Sequence, residues 1–261
     1  MIKNINIAIV GALGKIGTLL TQTIQQTNDC TLIASIITKK QQFNDEKNNF
    51  NVFSCLSQAI KNNDIDVIID FSTPKSTMEQ IIICQKFKKN MVIGTTGFSS
   101  QQKKIIMEAS KNIGIVHSAN FSIGINLMHT LLKKTAKMIG NNTDIEIIEY
   151  HHRNKKDTPS GTALYLGNTI CNTLNWNLEK SAIYRKKEIT NGRKNNTIGF
   201  SSIRAGNIIG EHKVIFVNES ESIEITHKAM NRLPFVKGAI QAAKWILNKK
   251  NGLFDMHDVL K

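Results

Sequence analysis

The first half of the chain alternates between short apolar blocks and segments with helical periodicity. Residues 5–10, apolar except for Asn6, predict a buried strand, and a helix follows to about Gln26. The same alternation continues, with strands at 31–37, 64–71, 91–93 and 113–117 and helices at 75–89 and 101–111. It predicts a doubly wound parallel sheet, in which ligands bind outside the carboxyl ends of the strands.

The second half of the chain follows a different pattern. A helix is predicted at 126–139, and in the strand predicted at 144–152 the side chains of Ile145, Ile147, Glu149 and His151 share one face. A helix at 163–174 then precedes three strands without intervening helices, near 198–204, 213–217 and 222–227. Parallel strands need crossover helices, so this order predicts an α+β domain with a mixed or antiparallel sheet flanked by two helices.

The change of pattern places domain boundaries near residues 121 and 232. A last helix, predicted to begin at Pro234 and to end near Leu247, could pack back on the first domain. We therefore expect one domain at 1–121, completed by 233–261, and a second domain at 122–232.

A glycine-rich turn follows the first predicted strand. Gly11, Gly14 and Gly17 form a GxxGxxG pattern that opens a helix within a strand–helix–strand unit. Glycines allow a tight turn, and a helix N-terminus offers N–H groups and a positive dipole end to a pyrophosphate. The alternative is a tight turn without a ligand, but the context favours a Rossmann-like dinucleotide-binding domain. The contacts are expected from Gly11, Ala12, Leu13, Gly14, Lys15 and Ile16.

The end of the second strand bears on the choice of cofactor. NAD-binding domains often carry an acidic residue there, which binds the ribose hydroxyls. Here the sequence continues Thr38-Lys39-Lys40. Thr38 and either Lys39 or Lys40 could hydrogen-bond to and pair with a 2′-phosphate, so we expect NADPH to be used well, as well as or better than NADH. The alternative is that these lysines form a solvated surface pair.

Charge and cysteine content exclude several classes of protein. The net charge is +14, but the basic residues are scattered, Lys, Ile and Asn are all abundant, and aromatic residues make up 6%. This composition disfavours nucleic-acid binding and favours attraction of small acidic molecules. The four cysteines are widely spaced, which indicates reduced thiols and no zinc or disulfide framework. Apolar runs are too short for a membrane span and no signal peptide is evident, so we expect a cytoplasmic protein.

The densest polar stretch of the sequence runs from residue 149 to residue 163. It leaves a predicted strand, contains His151, His152 and Lys155, and enters a helix, for which Thr158 or Ser160 is the cap candidate. The N–H groups of the helix start suit a carboxylate, and the histidines and lysines can supply charge and a proton. The stretch therefore predicts a site for a dianionic acid substrate.

The motif Glu-x-His-His-Arg-x-Lys-x-Asp-x-Pro-Ser-Gly-Thr-Ala at 149–163 resembles the signature of the 4-hydroxy-tetrahydrodipicolinate reductase (dihydrodipicolinate reductase) family of lysine and diaminopimelate biosynthesis. The resemblance extends over nearly the whole chain. Other segments that resemble the family lie at 10–17, 92–98, 119–122, 199–200, 204–206, 210–212, 225–229 and 252–256.

The resemblance implies a role for each matching position. His151 takes the position of the acid/base histidine and Lys155 that of the proton-donating lysine. His152, Gly161 and Thr162 take the positions that bind a substrate carboxylate. The dinucleotide-contact loops correspond to Gly94, Thr95, Thr96, Ser118, Ala119, Asn120 and Phe121. The resemblance also implies NADPH or NADH as cofactor, no metal, a small dicarboxylate substrate, and a homotetramer formed through the sheet of the second domain.

Two alternatives belong to other classes. A semialdehyde dehydrogenase would use a cysteine nucleophile, and none of the four cysteines lies in a polar, basic segment. A non-catalytic dinucleotide-binding regulator would need no cluster of histidine and lysine beside a carboxylate site.

Overall fold

The computed structural model describes residues 4–37, 51–185 and 192–261. The chain divides into two compact units. The first unit comprises Met1–Ile123 and Arg232–Lys261, and the second comprises Gly124–Asn231.

The first unit is built on a parallel sheet with the strand order β12-β6-β5-β4-β1-β2-β3. Its strands are β1 Ile5–Val10, β2 Cys30–Ile36, β3 Asn51–Phe53, β4 Val67–Asp70, β5 Asn90–Ile93, β6 Gly114–His117 and β12 Gly252–Phe254. Its helices are α1 Lys15–Gln25, α2 Leu56–Asn62, α3 Pro74–Phe87, α4 Ser100–Ala109, α8 Leu233–Ile246 and α9 Met256–Val259, and α5 begins at its boundary.

Apolar side chains cover both faces of this sheet. Ile7 and Ile9 pack on one face with α1, α8 and α9, whereas Ala8 and Val10 pack on the other with α2, α3 and α4. Burial on both faces explains why the strands are continuous apolar runs rather than alternating ones.

The C-terminal segment is part of the first unit. A Cβ atom at Gly238 of α8 would lie 1.9 Å from the carbonyl oxygen of Phe121, so glycine allows the helix to approach that turn closely. Lys244 of α8 also binds both carboxylate oxygens of Asp29 at 2.7 Å. These contacts fix α8 beside the turn that ends the first half of the chain.

The second unit contains a mixed sheet with the strand order β11-β10-β7-β9-β8. Its elements are α5 Ile123–Ile139, a 3-10 turn Gly140–Asn142, β7 Asp144–His151, α6 Gly161–Leu174, α7 Leu178–Ser181, β8 Ala182–Tyr184, β9 Ile198–Arg204, β10 Gly210–Val217 and β11 Ser222–Ala229. Strand β10 pairs antiparallel with β7 and β11, whereas β7 and β8 pair parallel with β9. One face of the sheet packs against α5 and α6.

The predicted fold class is confirmed: a Rossmann-like parallel sheet is joined to an α+β unit with a mixed sheet. The alternation in β7 is also as predicted, because Ile145, Ile147, Glu149 and His151 are all buried on one face. The sequence pattern did not predict β3, α2, α7, β8, β12 or α9.

Candidate active site

The glycine turn at the carboxyl end of β1 fits a bound dinucleotide. Gly11 has φ of +80°, and a Cβ atom there would lie 2.7 Å from the carbonyl oxygen of Phe71. A Cβ atom at Gly17 would lie 2.2 Å from the carbonyl oxygen of Gly11. Both positions therefore require glycine, one for its backbone conformation and both for close packing of the turn.

The N-terminus of α1 follows this turn and borders a cavity. Gly14 is the N-cap residue, and no side chain caps the helix. A cavity of about 540 Å³ lies beside it and is lined by residues from the ends of β1, β2, β3 and β4, among them Leu13, Ile37, Ser72 and Lys75. An uncapped helix N-terminus next to such a cavity suits the phosphates of a nucleotide.

The ends of β4 and β5 are joined by a buried carboxylate. Asp70 accepts hydrogen bonds from the amide and hydroxyl of Ser72 at 2.9 and 2.5 Å, and from the hydroxyl of Thr95 at 3.4 Å. Burial raises the pKa of Asp70, although hydrogen bonds from Ser72, Thr77 and Thr95 oppose this effect. Gly94 is pressed against the ring of Phe71, where a Cβ atom would clash. Gly94 and Thr95 are thus held against the turn after β4.

The turn after β6 is closed by its own hydrogen bonds. The hydroxyl of Ser118 donates to the carbonyl of Asn120 at 2.9 Å, and the Asn120 side chain accepts from the amide of Ser122 at 2.9 Å. Phe121 is buried and packs on Phe71 with ring centroids 5.7 Å apart. Residues 118–121 therefore lie at the same edge of the sheet as Gly11 and Gly94.

In the second unit, the buried pair of Glu149 and His151 ends β7. Glu149 Oε2 lies 2.5 Å from His151 Nδ1. Burial opposes ionisation of Glu149, but hydrogen bonds from His151, Arg204 and Ser202 outweigh it and hold its pKa well below the usual range. An ionised carboxylate accepts, so Nδ1 of His151 donates and Nε2 is left as the nitrogen that can exchange a proton.

The loop that follows β7 carries the lysine and the start of α6. Lys155 Nζ lies 2.9 Å from Asp157 Oδ1. Burial opposes ionisation of Asp157, but the hydrogen bond and charge of Lys155 and the amide of Gly161 lower its pKa. Ser160 is the N-cap of α6, since its hydroxyl accepts from the amide of Ala163 at 3.1 Å. Of the two cap candidates, Ser160 is the observed one, and Gly161 is exposed with open space at its Cβ position.

A second histidine, His212 on β10, lies against this cluster. Its Nε2 is 3.0 Å from the hydroxyl of Ser160, and its ring is 5.2 Å from that of His151. Burial, with a further contribution from the charge of His151, lowers the pKa of His212 to about 3. His212 is therefore a neutral, buried support of the α6 cap at neutral pH.

We expect His212 to make the fold sensitive to acid. Its folded-state pKa lies below the unfolded value of about 6.5, so the unfolded chain binds more protons between these values and stability falls as pH falls. Between pH 7 and pH 5 the loss from this group is about 2 kcal/mol. Urea unfolding of the wild type and of His212→Gln at both pH values measures it. An equal loss in both proteins would contradict the expectation.

The cysteines do not form a nucleophilic site. Cys30, Cys84 and Cys171 are buried and Cys55 is partly buried. Burial raises the pKa of Cys30 and of Cys171 to about 11. These thiols are protonated at neutral pH, which disfavours the cysteine-dependent alternative.

Among the residues that the structure describes, no group of three or more His, Cys, Asp or Glu could hold a metal ion. A search of the same residues for a helix that is long and apolar enough to cross a membrane found none.

The structure groups the candidate residues in two places. Residues 11–16, 94–96 and 118–121 lie at the carboxyl ends of the strands of the first unit, and residues 151–162 lie at one end of the sheet of the second. Thr38 and Lys39 lie outside the described residues. Asp70, Ser72, Glu149, Arg204 and His212 were given no site role from the sequence, although the last three lie in segments that resemble the family. Their signal was weak: Glu149 and His151 share a face, but nothing local relates them to Arg204 or His212.

A glycine turn beneath an uncapped helix, at the carboxyl edge of a parallel sheet, defines the class of Rossmann-type dinucleotide-binding proteins. The second unit adds a cluster of acid, base and cationic side chains beside a helix N-terminus. The family model described as "Dihydrodipicolinate reductase, N-terminus" matches residues 5–121, and the model described as "Dihydrodipicolinate reductase, C-terminus" matches residues 124–260. The chain belongs to the dihydrodipicolinate reductase family.

Relatives match over the full length. The chain is 51% identical to the 4-hydroxy-tetrahydrodipicolinate reductase of Buchnera aphidicola subsp. Baizongia pistaciae (strain Bp), over 98% of this chain and 97% of that protein. It is 48% identical to the protein of the same name from Buchnera aphidicola subsp. Acyrthosiphon pisum (strain APS), over 100% and 99%.

Two solved structures share the fold of the chain. The dipicolinate-bound dihydrodipicolinate reductase from Paenisporosarcina sp. TG-14 superposes with a TM-score of 0.81, at 26% identity and over 97% of each chain. A probable dehydrogenase from Thermotoga maritima, with a TM-score of 0.65 and 11% identity over 98% of this chain and 92% of that one, shares the fold.

Proposed function

We propose that the chain reduces 4-hydroxy-tetrahydrodipicolinate to tetrahydrodipicolinate with NADPH or NADH, in diaminopimelate and lysine biosynthesis. Membership of the family supports this reaction. One observation carries the proposal for this chain: a histidine oriented by a buried carboxylate lies in the same unit as Lys155 and the start of α6. That combination suits protonation of a ring that bears carboxylates.

The first unit is proposed to hold the dinucleotide. The glycine turn and the uncapped start of α1 receive the pyrophosphate through residues 11–16. Residues 94–96 and 118–121 are proposed to contact the nicotinamide half. Thr38 and Lys39 are proposed to contact the ribose and its 2′-phosphate. When bound, the reduced nicotinamide supplies a hydride to C4 of the substrate ring.

The second unit is proposed to bind and protonate the substrate. The net reaction adds a hydride and a proton and loses one water, so the protein must supply the proton. We assign that role to His151 Nε2 together with Lys155, whose ammonium stabilises negative charge that develops on the ring. Gly161, Thr162 and His152 bind one substrate carboxylate at the positive end of α6. The relative solved with bound dipicolinate supports a dicarboxylate as the substrate class.

A coupled assay tests the proposed reaction. A dihydrodipicolinate synthase reaction supplies the substrate, and the loss of reduced nicotinamide is followed at 340 nm after addition of the purified chain. We expect oxidation of the cofactor that depends on both the chain and the synthase. Binding of the cofactor without turnover would identify a dinucleotide-binding regulator instead.

Replacement of Lys155 by alanine tests the cationic half of the site. We expect kcat to fall about ten- to a hundredfold, because charge on the ring is no longer stabilised, and the substrate KM to rise. Steady-state kinetics with saturating cofactor give both values. Lys213→Ala, which removes an amine paired with Glu224 at 2.8 Å on a neighbouring strand, is the control. Wild-type kinetics in Lys155→Ala would contradict the assignment.

The residues that follow β2 in the sequence bear on the proposed cofactor preference. Because Thr38 and Lys39 offer a hydroxyl and a positive charge where an acidic side chain would repel a 2′-phosphate, we expect a KM for NADPH equal to or below that for NADH. Lys39→Glu should raise the KM for NADPH and leave that for NADH nearly unchanged. A strong preference of the wild type for NADH would contradict this prediction.

The assembly proposed for the chain is a homotetramer formed through the sheet of the second unit, and its proposed location is the cytoplasm. Half-exposed apolar side chains on this sheet support a protein contact: Ile203 of β9 is 39% exposed and Ile223 of β11 is 42% exposed. Sedimentation equilibrium, with Ile223→Lys as the disrupting variant, distinguishes a tetramer from a monomer.

A further inference from the structure

We propose that Glu149 and Arg204 are positioning residues that act as one unit: they fix the proton-donor histidine and the carboxylate-binding helix start relative to each other. This inference rests on the proposed function, since it takes His151 as the proton donor. It assigns a role to a buried carboxylate and a partly buried guanidinium, neither of which is proposed to touch the substrate or the cofactor.

Glu149 is the centre of this arrangement. It is 1% exposed, and its two carboxylate oxygens meet groups from three parts of the unit. Oε2 accepts from His151 Nδ1 at 2.5 Å, and Oε1 accepts from the amide of Ser160 at 3.2 Å. Arg204 donates to both oxygens, at 2.9 and 2.6 Å. One side chain thus contacts the catalytic candidate, the cap residue of α6 and the neighbouring strand.

Arg204 extends the arrangement to the loop that carries Lys155. Its Nη2 donates to the carbonyl oxygen of Asp157 at 2.7 Å and contacts the hydroxyl of Thr158 at 3.3 Å. Asp157 in turn is paired with Lys155. The planar guanidinium offers several donors in fixed directions, so it can bridge Glu149 and the loop at the same time, which an ammonium group cannot.

The position of Arg204 follows from the register of the sheet. Strands β7 and β9 run parallel, and His151 is aligned with Arg204. The amide of Ala205 donates to the carbonyl of His151 at 2.9 Å, which extends the pairing beyond the strand end. The histidine and the arginine are therefore held side by side by backbone contacts before their side chains meet at Glu149.

Charges on several elements act on His151. Glu149 of β7 binds its ring, Arg204 of β9 binds the same carboxylate, and Lys155 lies in the following loop, paired with Asp157. His212 of β10 is the neutral neighbour. Removal of Glu149 takes away a negative charge and removal of Arg204 a positive one, so the pH profiles of the two variants should move in opposite directions. A general loosening of the fold would not do so.

The experiment compares pH profiles of kcat, and substrate KM, for Glu149→Gln, Arg204→Met and Arg204→Lys. In Glu149→Gln we expect kcat to fall on the order of 10²-fold and the basic limb of the profile to move to lower pH by about one unit. In Arg204→Met the limb should move to higher pH, and KM should rise about tenfold because the loop is released. Arg204→Lys should restore the basic limb to its wild-type pH but should not restore the wild-type substrate KM.

Controls separate this inference from the proposed function. Asp29→Asn removes a carboxylate paired with Lys244 in the first unit and should keep the wild-type profile. Cofactor binding followed by nicotinamide fluorescence should be unchanged in every variant that folds. If the wild type shows no synthase-dependent oxidation of the cofactor, the proposed function itself fails. If the wild type turns over but His151→Gln is fully active, the proton-donor role of His151 fails, and the positioning role fails with it. If His151→Gln is impaired but the profiles of Glu149→Gln and Arg204→Met match the wild type or move in the same direction, only the positioning role is overturned. If Glu149→Gln does not fold, the two Arg204 variants decide. A basic limb that moves to higher pH in Arg204→Met and returns in Arg204→Lys supports the positioning role. Absence of this movement overturns it.

Discussion

Replacement of His151 by glutamine is expected to lower kcat by about 10²- to 10⁴-fold, with a much smaller change in substrate KM. Glutamine is close in size and can still hydrogen-bond to Glu149, so the buried carboxylate is not left without a partner. It cannot hold and release a proton at neutral pH. The loss therefore falls on the transition state rather than on substrate binding.

The measurement for His151→Gln is steady-state kinetics across pH, with the melting temperature as a check on folding. The wild-type profile should lose activity as pH rises and the histidine loses its proton, and this limb should be absent from the variant. His257→Gln, a histidine substitution in α9 of the first unit, is the control. A variant that keeps both the wild-type kcat and the basic limb would exclude His151 as the proton donor.

Much of the fold could be predicted from the sequence, because the burial of each strand and helix sets its pattern of apolar residues. In the first unit both faces of the sheet are covered, so each strand is a short apolar run such as Ile5–Val10 and is easily recognised. The missed strands are edge strands: β3 and β12 are three residues long, and only one side of each is paired within the described sheet. Their residues carry too little periodicity to be separated from loops.

Only the part of the candidate site that is contiguous in sequence could be predicted. The segment from Glu149 to Thr162 is contiguous, so its chemistry could be predicted from spacing and from the helix start at Ser160. Arg204 and His212 reach the same place through the pairing of β9 and β10 with β7, which no local pattern encodes. Asp70 was missed for a related reason, since its partner Thr95 lies on another strand end.

Replacement of Gly11 by alanine is expected to raise the KM for the reduced dinucleotide about a hundredfold. The new side chain must occupy a backbone with φ of +80°, which costs about 1–3 kcal/mol in a non-glycine residue. It would also place Cβ 2.7 Å from the carbonyl oxygen of Phe71, and a main-chain atom in a packed sheet cannot move away as a side chain can. The turn must therefore shift, and with it the N–H groups at the start of α1 that are proposed to receive the pyrophosphate.

The matched control for this change is Gly192→Ala. Gly192 has φ of +86°, so it carries a similar conformational strain, but a Cβ atom there meets nothing within 4 Å. It belongs to the second unit, outside the proposed dinucleotide site. Titration with NADPH and NADH, followed by nicotinamide fluorescence, should show weaker binding in Gly11→Ala than in Gly192→Ala. Equal affinities in the two variants would mean that the turn at Gly11 contributes nothing specific to dinucleotide binding. The assignment of the glycine turn to the pyrophosphate would then be wrong.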